Sequence, residues 1–559
     1  MKNWLRSPLF WILLVAAGLR LFGLFWGLPG ADGWDDDGFA PRNFLTALAL
    51  TWKPGAYFTY PPLHALLLAL PSLPVAAWAL AHAPSLGQHD VIATITQPGY
   101  MTYFSVMARL VAIVLSLGII AIVGEMARLI AGPRAGLLAA GAAALNFGLT
   151  YYGAVSNLDV PYLFWALLAL LFVMQAALLK QPRRFWWAAL SAAAAVATKD
   201  QAYALFLLSL PGFFALWFAL ESWPRANARI VLVTLVLATV AALAALLLVD
   251  GAITNPSGFI KRIAFLTGPA SHDYFEYVRG PAGWWALLGD MFKYYLRGFG
   301  LTTVTLGALG VFLAVRKRTN LAVALLPLLA AVSFTLCFNF AALRSDIRFL
   351  LPQAVLTCVY IGITAQVLLF PTKSMLRWAG RAVVALVALI ALHQALSIDA
   401  AMLFDPRYDA ERWLAENARP GDGIEVYDRN WLLPRFPKGV NVWRLGQGDL
   451  KLRAPMPGIT EVQQPFAVVA LRHPRFILVS ANWLQRYLPV AAPPQGRILS
   501  PNQQAERDDR DTRLYFAALV QGQLGYRMVH VARYRSRFYP AVHIHDSLDE
   551  PIGIYERVP

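Results

Sequence analysis

Long apolar runs fill most of the first 400 residues, and they constrain the fold more than any other feature of the sequence. A helix of about 20 apolar residues spans the hydrocarbon core of a bilayer. The chain is 58% hydrophobic and 14% charged, whereas soluble proteins carry about 25% charged residues. The candidate spans are residues 8–28, 104–124, 134–152, 160–178, 185–199, 201–220, 229–249, 297–315, 321–340, 349–370 and 382–398. The sequence therefore predicts an α-helical polytopic membrane protein with about 11 transmembrane helices.

Basic residues lie mainly between the apolar runs. If the N-terminus, which carries Lys2 and Arg6, is cytoplasmic, every second connection lies on the same side. These connections hold Arg128, Arg134, Lys180, Arg183, Arg184, Arg225, Arg229, Arg316, Lys317, Arg318, Lys373, Arg377 and Arg381. The short loops on the opposite, outer side are acidic or mixed, as the positive-inside rule expects. The net charge of +16 thus reflects membrane topology, and no stripe of basic and aromatic residues predicts a nucleic-acid partner.

Two outer segments and the C-terminal part depart from this pattern. Residues 29–103 form a first outer loop that is too long for a plain connection, and residues 250–296 are rich in aromatic side chains that suit a membrane interface. The polar sequence from residue 399 predicts a short helix around Trp413, a strand in "GIEVYD" and a buried strand in "RFILVSANW". We therefore divide the chain into a membrane domain, 1–398, and a small α/β domain on the outer side, 399–559.

The first outer loop holds the most distinctive polar residues. Its sequence "ADGWDDDGFAPRNF" contains the consecutive carboxylates Asp35, Asp36 and Asp37, which can raise one another's pKa for general-base work or hold a divalent cation. A solvated acidic loop is the equally frequent alternative. In the later "YFTYPPLHALLLAL", which contains Tyr60 and His64, tandem prolines predict a rigid entry into a short interfacial helix.

Three further motifs place charges at the outer ends of spans. Asp159 opens the fourth span in "NLDVP", where N-capping of the helix is the more frequent reason for an aspartate. Lys199 and Asp200 interrupt the 185–220 run, either as functional residues at membrane depth or as an ion pair with each other, and at least one of these two spans is expected to be broken. Arg344 and Arg348 in "RSDIRFLLPQ" precede the tenth span, and arginine suits phosphate recognition because its guanidinium donates two hydrogen bonds at once.

All of these motifs fall on the outer side in the predicted topology. Acidic and basic groups therefore meet at one membrane interface, beside long aromatic loops. This arrangement predicts an amphiphilic substrate with a lipid tail and a charged head group.

These motifs, in this order, resemble those of the C-type, lipid-linked-sugar-dependent glycosyltransferases. The sequence is most similar to the bacterial family-39 and aminoarabinose-transferase-like proteins, which are related to the protein O-mannosyltransferases. The matching elements are Asp36-Asp37, "YPPL" at 60–63, Arg109-Leu110 opening the second span, "LDVP" at 158–161, Lys199 and "RFLLP" at 348–352. Asp replaces the usual Glu of the acidic pair, so the catalytic residue can be Asp35, Asp36 or Asp37. Tyr60 stands where the aminoarabinose type has Lys.

The resemblance implies an inverting transfer of a hexose or pentose from a polyprenyl-phosphate carrier to a glycan, lipid or protein acceptor. One aspartate of the first outer loop would be the general base, and Arg348 and Lys199, with Tyr60 and His64, would bind the donor phosphate. Asp159 and Arg109 are further site candidates. No metal is obligatory in this class, although the three adjacent carboxylates could hold a divalent cation. The implied location is the bacterial inner (plasma) membrane, with the C-terminal domain periplasmic or extracellular.

Two other functions fit parts of the sequence. A transporter or flippase of lipid-linked sugars would explain the many spans and the intramembrane charges, but no internal repeat is visible and the polar motifs cluster at one face. A scaffold that only displays the C-terminal domain would leave the acidic loop unexplained.

The topology can be tested with reporter fusions that are active only outside the cytoplasm. We expect fusions at residue 400 and within residues 30–60 to be active in intact cells, because the Lys and Arg bias places both on the side opposite the N-terminus. A cytoplasmic reporter fused at the same positions should be silent. Cytoplasmic activity at either position would contradict the span count.

Overall fold

Helices dominate the computed structural model, which describes all residues except 1–5, 31, 32, 36, 40, 270–272, 317–319, 372–374, 447–455, 489–491, 535, 537, 540–543, 545–547 and 559. The helices of the membrane domain are α1 Pro8–Leu21, α2 Arg42–Leu50, α3 Leu63–His82, α4 Gln88–Ile95, α5 Pro98–Ala131, α6 Pro133–Ala144, α7 Phe147–Tyr152, α8 Asp159–Leu178, α9 Arg184–Val196, α10 Ser209–Leu220, α11 Ser222–Ala226, α12 Ala228–Val249, α13 Pro256–Thr267, α14 Pro281–Arg316, α15 Leu321–Phe334, α16 Leu351–Leu369 and α17 Met375–Leu403.

Among the described residues, nine helical stretches are long and apolar enough to cross a membrane. They are Leu63–His82, Pro98–Ala131, Asp159–Leu178, Asp200–Leu220, Ala228–Val249, Pro281–Arg316, Leu321–Ala342, Arg348–Leu369 and Arg377–Asn417. The chain is therefore an integral membrane protein with a helical bundle, as predicted. The predicted first span is a shorter apolar helix of 14 residues.

Two of the predicted apolar runs, 134–152 and 185–220, are broken into shorter helices. The run 134–152 forms α6 and α7, with Asn146 capping the second helix through its side chain. In the run 185–220, α9 ends at Val196, Lys199 is extended, and a 3-10 turn, Asp200–Leu205, precedes α10. The break predicted from Lys199 and Asp200 is confirmed, and it leaves room for polar side chains at the bundle end where α9 finishes and α8 and α16 begin. We call this end the site end.

The first outer loop is helical rather than irregular, since it contains α2, α3 and α4. The helix expected after "YPP" to be short extends over 20 residues, with Pro71 and Pro74 inside it. The Leu63 amide donates to the carbonyl of Ala197, just past the end of α9. Further along α3, the Pro71 carbonyl accepts from Tyr103, two turns into α5. Because α9 ends and α5 begins at the site end, α3 packs across that end of the bundle.

Glycines allow close helix contacts inside the bundle. A Cβ atom at Gly310 of α14 would overlap the backbone carbonyl of Tyr360 in α16, and one at Gly362 of α16 would overlap the backbone of Ala135 in α6. Small residues at such crossings let helix backbones approach within a membrane, where no hydrophobic force draws helices together. These contacts hold α16, which begins next to Arg348, in the centre of the bundle.

The C-terminal part forms an α/β domain, as predicted. Its strands are β1 Gly423–Val426, β2 Asn441–Gly446, β3 Ile459–Gln463, β4 Phe476–Ser480, β5 Tyr526–Ala532 and β6 Ile552–Arg557, and its helices are α18 Pro406–Asn417, α19 Val469–Arg472, α20 Ala481–Tyr487, α21 Pro501–Asp508 and α22 Arg510–Val520. The strand order is β3-β2-β1-β4-β6-β5, in which β1 to β4 are mutually parallel and β6 runs antiparallel to both of its neighbours, β4 and β5. Helix α18 covers one face of the sheet, and α19 and α22 cover the other.

The C-terminal domain packs directly on the first outer loop. The indole N–H of Trp34 donates to the carbonyl of Leu433 at 3.1 Å, and the Arg407 guanidinium lies 4.2 Å from the Trp34 ring centre. Arg407 is held by both carboxylate oxygens of Asp405, which also accepts from Trp26 at 3.1 Å. The acidic segment that begins one residue after Trp34 is thus fixed between the bundle and the C-terminal domain.

Substitution of Gly310 by alanine should lower the thermal stability of the protein in detergent. The added methyl group has no space beside the Tyr360 carbonyl, and overpacking of this kind costs about 1–3 kcal/mol. Gly289→Ala is the matched control, because no described atom lies within 4 Å of a Cβ built there on the same helix. The control should be neutral or stabilising by about 0.5–1 kcal/mol. Equal melting temperatures for the two variants would contradict the close contact.

Candidate functional site

A buried ion pair anchors the acidic segment of the first outer loop. Asp35 accepts from both Nη2 and Nε of Arg109, at 3.0 and 3.2 Å, and from the hydroxyl of Ser156 at 2.8 Å. Arg109 also donates to the carbonyls of Gly23 and Leu24, at the end of α1. The side chains of Asp35 and Arg109 are only 3% and 0% exposed. The Asp35 carboxylate therefore has a structural role, in which it fixes the acidic loop to the bundle.

Asp37 faces a different environment, and Asp36 lies outside the described residues. Asp37 has a positive φ of 52°. Its side chain is 52% exposed and forms an ion pair with Arg348, whose side chain is 9% exposed. Of the two described carboxylates in the triplet, Asp37 is the one that both solvent and a substrate can reach.

Arg348 begins the 3-10 turn Arg348–Leu350 that leads into α16. Its backbone N–H donates to the Asp346 carboxylate at 3.0 Å, and its guanidinium lies 4.8 Å from the ring centre of Phe349. Nε of Arg348 is buried and has no hydrogen-bond partner among the described residues. Buried polar atoms are normally paired, so this donor is available to an acceptor that the described residues do not supply.

Asp159 and Lys199 form a second ion pair. Lys199 Nζ lies 2.7 Å from Asp159 Oδ1, which also accepts from Gln201 at 3.4 Å. Leu158, not Asp159, occupies the N-cap position of α8, so N-capping, the more frequent reason for this aspartate, is wrong. Oδ2 of Asp159 is buried without a partner among the described residues.

The two ion pairs form one charge cluster of Asp37, Arg348, Asp159 and Lys199. Arg348 interacts electrostatically with Asp159 as well as Asp37, and Lys199 with Asp37 and Arg348. Tyr60 lies beside the cluster, where burial and then the Asp37 carboxylate raise its pKa to about 12. Its hydroxyl therefore stays protonated and can donate a hydrogen bond. The four residues of the cluster and the adjacent Tyr60 were all predicted from the sequence as site residues.

Asp200 pairs with Arg262 rather than with Lys199. The Arg262 side chain is 1% exposed, forms an ion pair with Asp200 and lies 3.5 Å from the Asp250 carboxylate. Its Nε donates to the carbonyl of Thr59, next to Tyr60. Arg262 thus links the second outer segment, the broken span and the first outer loop, and the alternative of a self-contained Lys199–Asp200 pair is wrong.

The remaining predicted residues lie around this cluster. His64 is 1% exposed, its ring centre lies 5.7 Å from that of Phe39, and its Nδ1 has no partner in the described parts of the chain. The Arg344 guanidinium lies 5.2 Å from the ring centre of Tyr274 and 5.1 Å from that of Phe349, the ring that Arg348 also contacts. Within the described ranges, no group of three His, Cys, Asp or Glu side chains could hold a metal ion.

Two neighbours of the cluster were not identified from the sequence. Tyr152 is fully buried, interacts electrostatically with Arg348, Asp346 and Asp159, and has no hydrogen-bond partner for its hydroxyl among the described residues. Arg262 could have been found, because "FIKRIAF" places a second cation inside an apolar helix of an outer segment. Tyr152 gave no signal, since one tyrosine in "NFGLTYYGAV" looks like any interfacial aromatic residue.

No protein-family model matches the sequence, and no curated protein matches it. Solved structures that match this chain include ArnT from Cupriavidus metallidurans in the apo state, at 15% identity over 97% of both chains with a TM-score of 0.47. The same protein bound to undecaprenyl phosphate matches at 13% identity over 98% of both chains, with a TM-score of 0.48. An oligosaccharyltransferase from Archaeoglobus fulgidus matches at 13% identity over 100% of this chain and 89% of that chain, with a TM-score of 0.45. At 13–15% identity and TM-scores of 0.45–0.48, these matches assign no activity to this chain.

Amide substitutions of the two described aspartates should separate their roles. Asp35→Asn should lower the melting temperature strongly, because it leaves the buried Arg109 charge without its partner, at a cost of about 3–5 kcal/mol. Asp37→Asn should lower it much less, since water reaches that carboxylate. Thermal unfolding of the purified variants measures the difference. Equal losses would contradict a structural role confined to Asp35.

Proposed function

We propose that the protein is a membrane glycosyltransferase that moves a sugar from a polyprenyl-phosphate carrier to an acceptor at the outer face of the membrane. The observation that carries this proposal is the pairing of half-exposed Asp37 with buried Arg348, whose Nε has no protein acceptor among the described residues. A candidate base and a guanidinium suited to phosphate are thereby in contact, and Arg348 is the first residue of the candidate span Arg348–Leu369.

The lipid-phosphate part of the donor fits the basic side of the cluster. Arg348 and Lys199 supply positive charge, and the protonated Tyr60 hydroxyl can donate to a phosphate oxygen. An apolar cavity of about 530 Å³ between α8, α9, α10 and α12 begins at Val196 and Tyr203, which flank Lys199 in the chain. A prenyl chain in this cavity would place its phosphate near Lys199.

The reaction uses the acidic side of the cluster. An aspartate carboxylate, Asp37 or its neighbour Asp36, accepts the proton of the acceptor hydroxyl, whose oxygen forms a bond to the anomeric carbon. The bond from that carbon to the phosphate oxygen breaks, and the polyprenyl phosphate leaves with the electron pair. Arg348 and Lys199 stabilise the negative charge that develops on the phosphate. Attack opposite the leaving group gives inversion.

In this proposal, the Asp37–Arg348 pair couples activation of the base to donor binding. A carboxylate that is paired with a guanidinium is a weak proton acceptor, because the positive charge favours its ionised form. A donor phosphate bound to Arg348 competes for that charge. Binding of the donor would therefore strengthen Asp37 as a base, so that proton transfer follows donor binding.

Arg348→Lys should weaken binding of undecaprenyl phosphate to the purified protein by about 10- to 150-fold, because lysine cannot reproduce the forked donor geometry of arginine. Expression and melting temperature should stay near those of the wild type. Arg344→Lys is the matched control, since both guanidiniums lie over the ring of Phe349, while Arg348 forms an ion pair with Asp37 and Arg344 contacts the ring of Tyr274. A direct binding titration in detergent or nanodiscs measures the affinities.

Two results would overturn the proposal. Equal affinities of the wild type and Arg348→Lys for undecaprenyl phosphate would remove Arg348 from the donor site. Movement of a lipid-linked sugar across a vesicle membrane without transfer of its sugar would instead support the flippase.

A further inference from the structure

The C-terminal sheet has a topological switch point between β1 and β4. From β1 the chain goes to β2 and β3 on one side, and then crosses to β4 on the other side of β1. The β1–β2 connection packs on the sheet face that carries Leu433, and the β3–β4 connection packs on the face that carries Phe466. In open α/β sheets, a crevice outside the carboxyl ends of the strands forms at such a point and serves as the binding site.

This carboxyl edge faces the bundle. The residues after β1 reach the first outer loop, where the carbonyl of Leu433 accepts from Trp34. Nearby, the carbonyl of Trp431 accepts from Arg407 of α18, whose guanidinium lies 4.2 Å from the Trp34 ring centre. The chain after β4 reaches the second outer segment, where Val278 donates to the carbonyl of Gly496 at 3.0 Å. The crevice therefore lies over the site end of the bundle.

Aromatic and charged side chains gather at this edge. The Asp428 carboxylate bridges the two strands by accepting from the hydroxyl and amide of Ser480 at 2.6 and 2.9 Å. The Arg429 guanidinium lies 5.3 Å from the ring of Trp431.

On the β4 side, the Arg486 guanidinium lies 5.3 Å from the ring of Trp483. Both Arg429 and Arg486 act electrostatically on the hydroxyl of Tyr487. The residues after β1 and those after β4 therefore lie close to one another. The indole N–H of Trp483 is buried and has no acceptor among the described residues, which leaves one donor for a ligand atom.

We propose that the β1–β4 crevice, bordered by Arg429, Trp431, Trp483 and Tyr487, binds the saccharide part of the acceptor. This inference rests on the proposed function, because it assigns the second substrate of the same reaction. Trp34, in contact with the loop after β1, lies three residues from Asp37, and three residues span at most about 11 Å. An acceptor seated in the crevice therefore has its hydroxyl within a few sugar units of the base.

The chemistry of this edge favours a saccharide over a peptide. Sugar rings have apolar C–H faces that pack on aromatic rings, and their hydroxyl oxygens accept hydrogen bonds from arginine and indole N–H groups. A peptide most often binds a sheet by adding a strand to its edge. The edge strands here are β3 and β5, which lie away from the β1–β4 crevice.

The test is binding of the fluorescently labelled full-length protein, in lipid nanodiscs and without donor, to a printed array of bacterial envelope oligosaccharides and peptides. We expect the wild type to bind oligosaccharides. Arg429→Ala should bind about tenfold more weakly, and Trp483→Phe, which keeps the ring but removes the N–H, about fivefold more weakly. Arg419→Ala is the matched control, because Arg419 is also exposed but precedes β1 at the opposite edge of the sheet. Its binding should stay within twofold of the wild type.

Undecaprenyl phosphate binding, measured on the same preparations, keeps this inference separate from the proposed function. Normal lipid-phosphate binding without saccharide binding would overturn the acceptor site alone, as would equal saccharide affinities of all variants or binding to peptides only. If the wild type binds saccharide but not undecaprenyl phosphate, the donor assignment is overturned and the crevice remains a saccharide site.

Discussion

The candidate site depends first on the buried pair of Asp35 and Arg109. A buried charge is costly unless its partner is in place with satisfied hydrogen bonds. Arg109 meets this condition with the carboxylate of Asp35 and with the carbonyls of Gly23 and Leu24, so α1, α5 and the first outer loop converge at one guanidinium. The turn that follows can then present Asp37 to Arg348, 311 residues further along the chain.

The charges at the site end are balanced between distant elements rather than within one. Lys199 pairs with Asp159 of α8, Asp200 pairs with Arg262 of α13, and Arg348 pairs with Asp37 of the first outer loop. Electrostatic interactions are strong where little water penetrates, so each pair also fixes the position of the segment that carries it. The break after α9 is stable because its two charges, Lys199 and Asp200, find these partners. A lipid phosphate would enter a cluster whose positive groups are already held in place.

The C-terminal domain packs against the first outer loop at the site end of the bundle. Its contact with Trp34 lies directly beside the Asp35 anchor, so the acidic loop is held from the bundle and from the sheet. The same contact orients the carboxyl edge of the sheet toward the bundle. The β1–β4 switch point therefore lies over the site end, where the proposed acceptor site would be next to the proposed donor site.

The sequence by itself determined the membrane class, the broken span at Lys199 and Asp200, the α/β nature of the C-terminal domain and most members of the charge cluster. These follow from local hydropathy, from strand and helix patterns and from motifs a few residues long. Only the tertiary structure decided that Asp35 is an anchor and Asp37 the accessible carboxylate, that α3 extends through two prolines, and that Asp159 pairs with Lys199 instead of capping its helix. Three adjacent aspartates are chemically identical in the sequence, and Asp35 and Asp37 differ because Arg109 pairs with the first and Arg348, far away in the chain, pairs with the second.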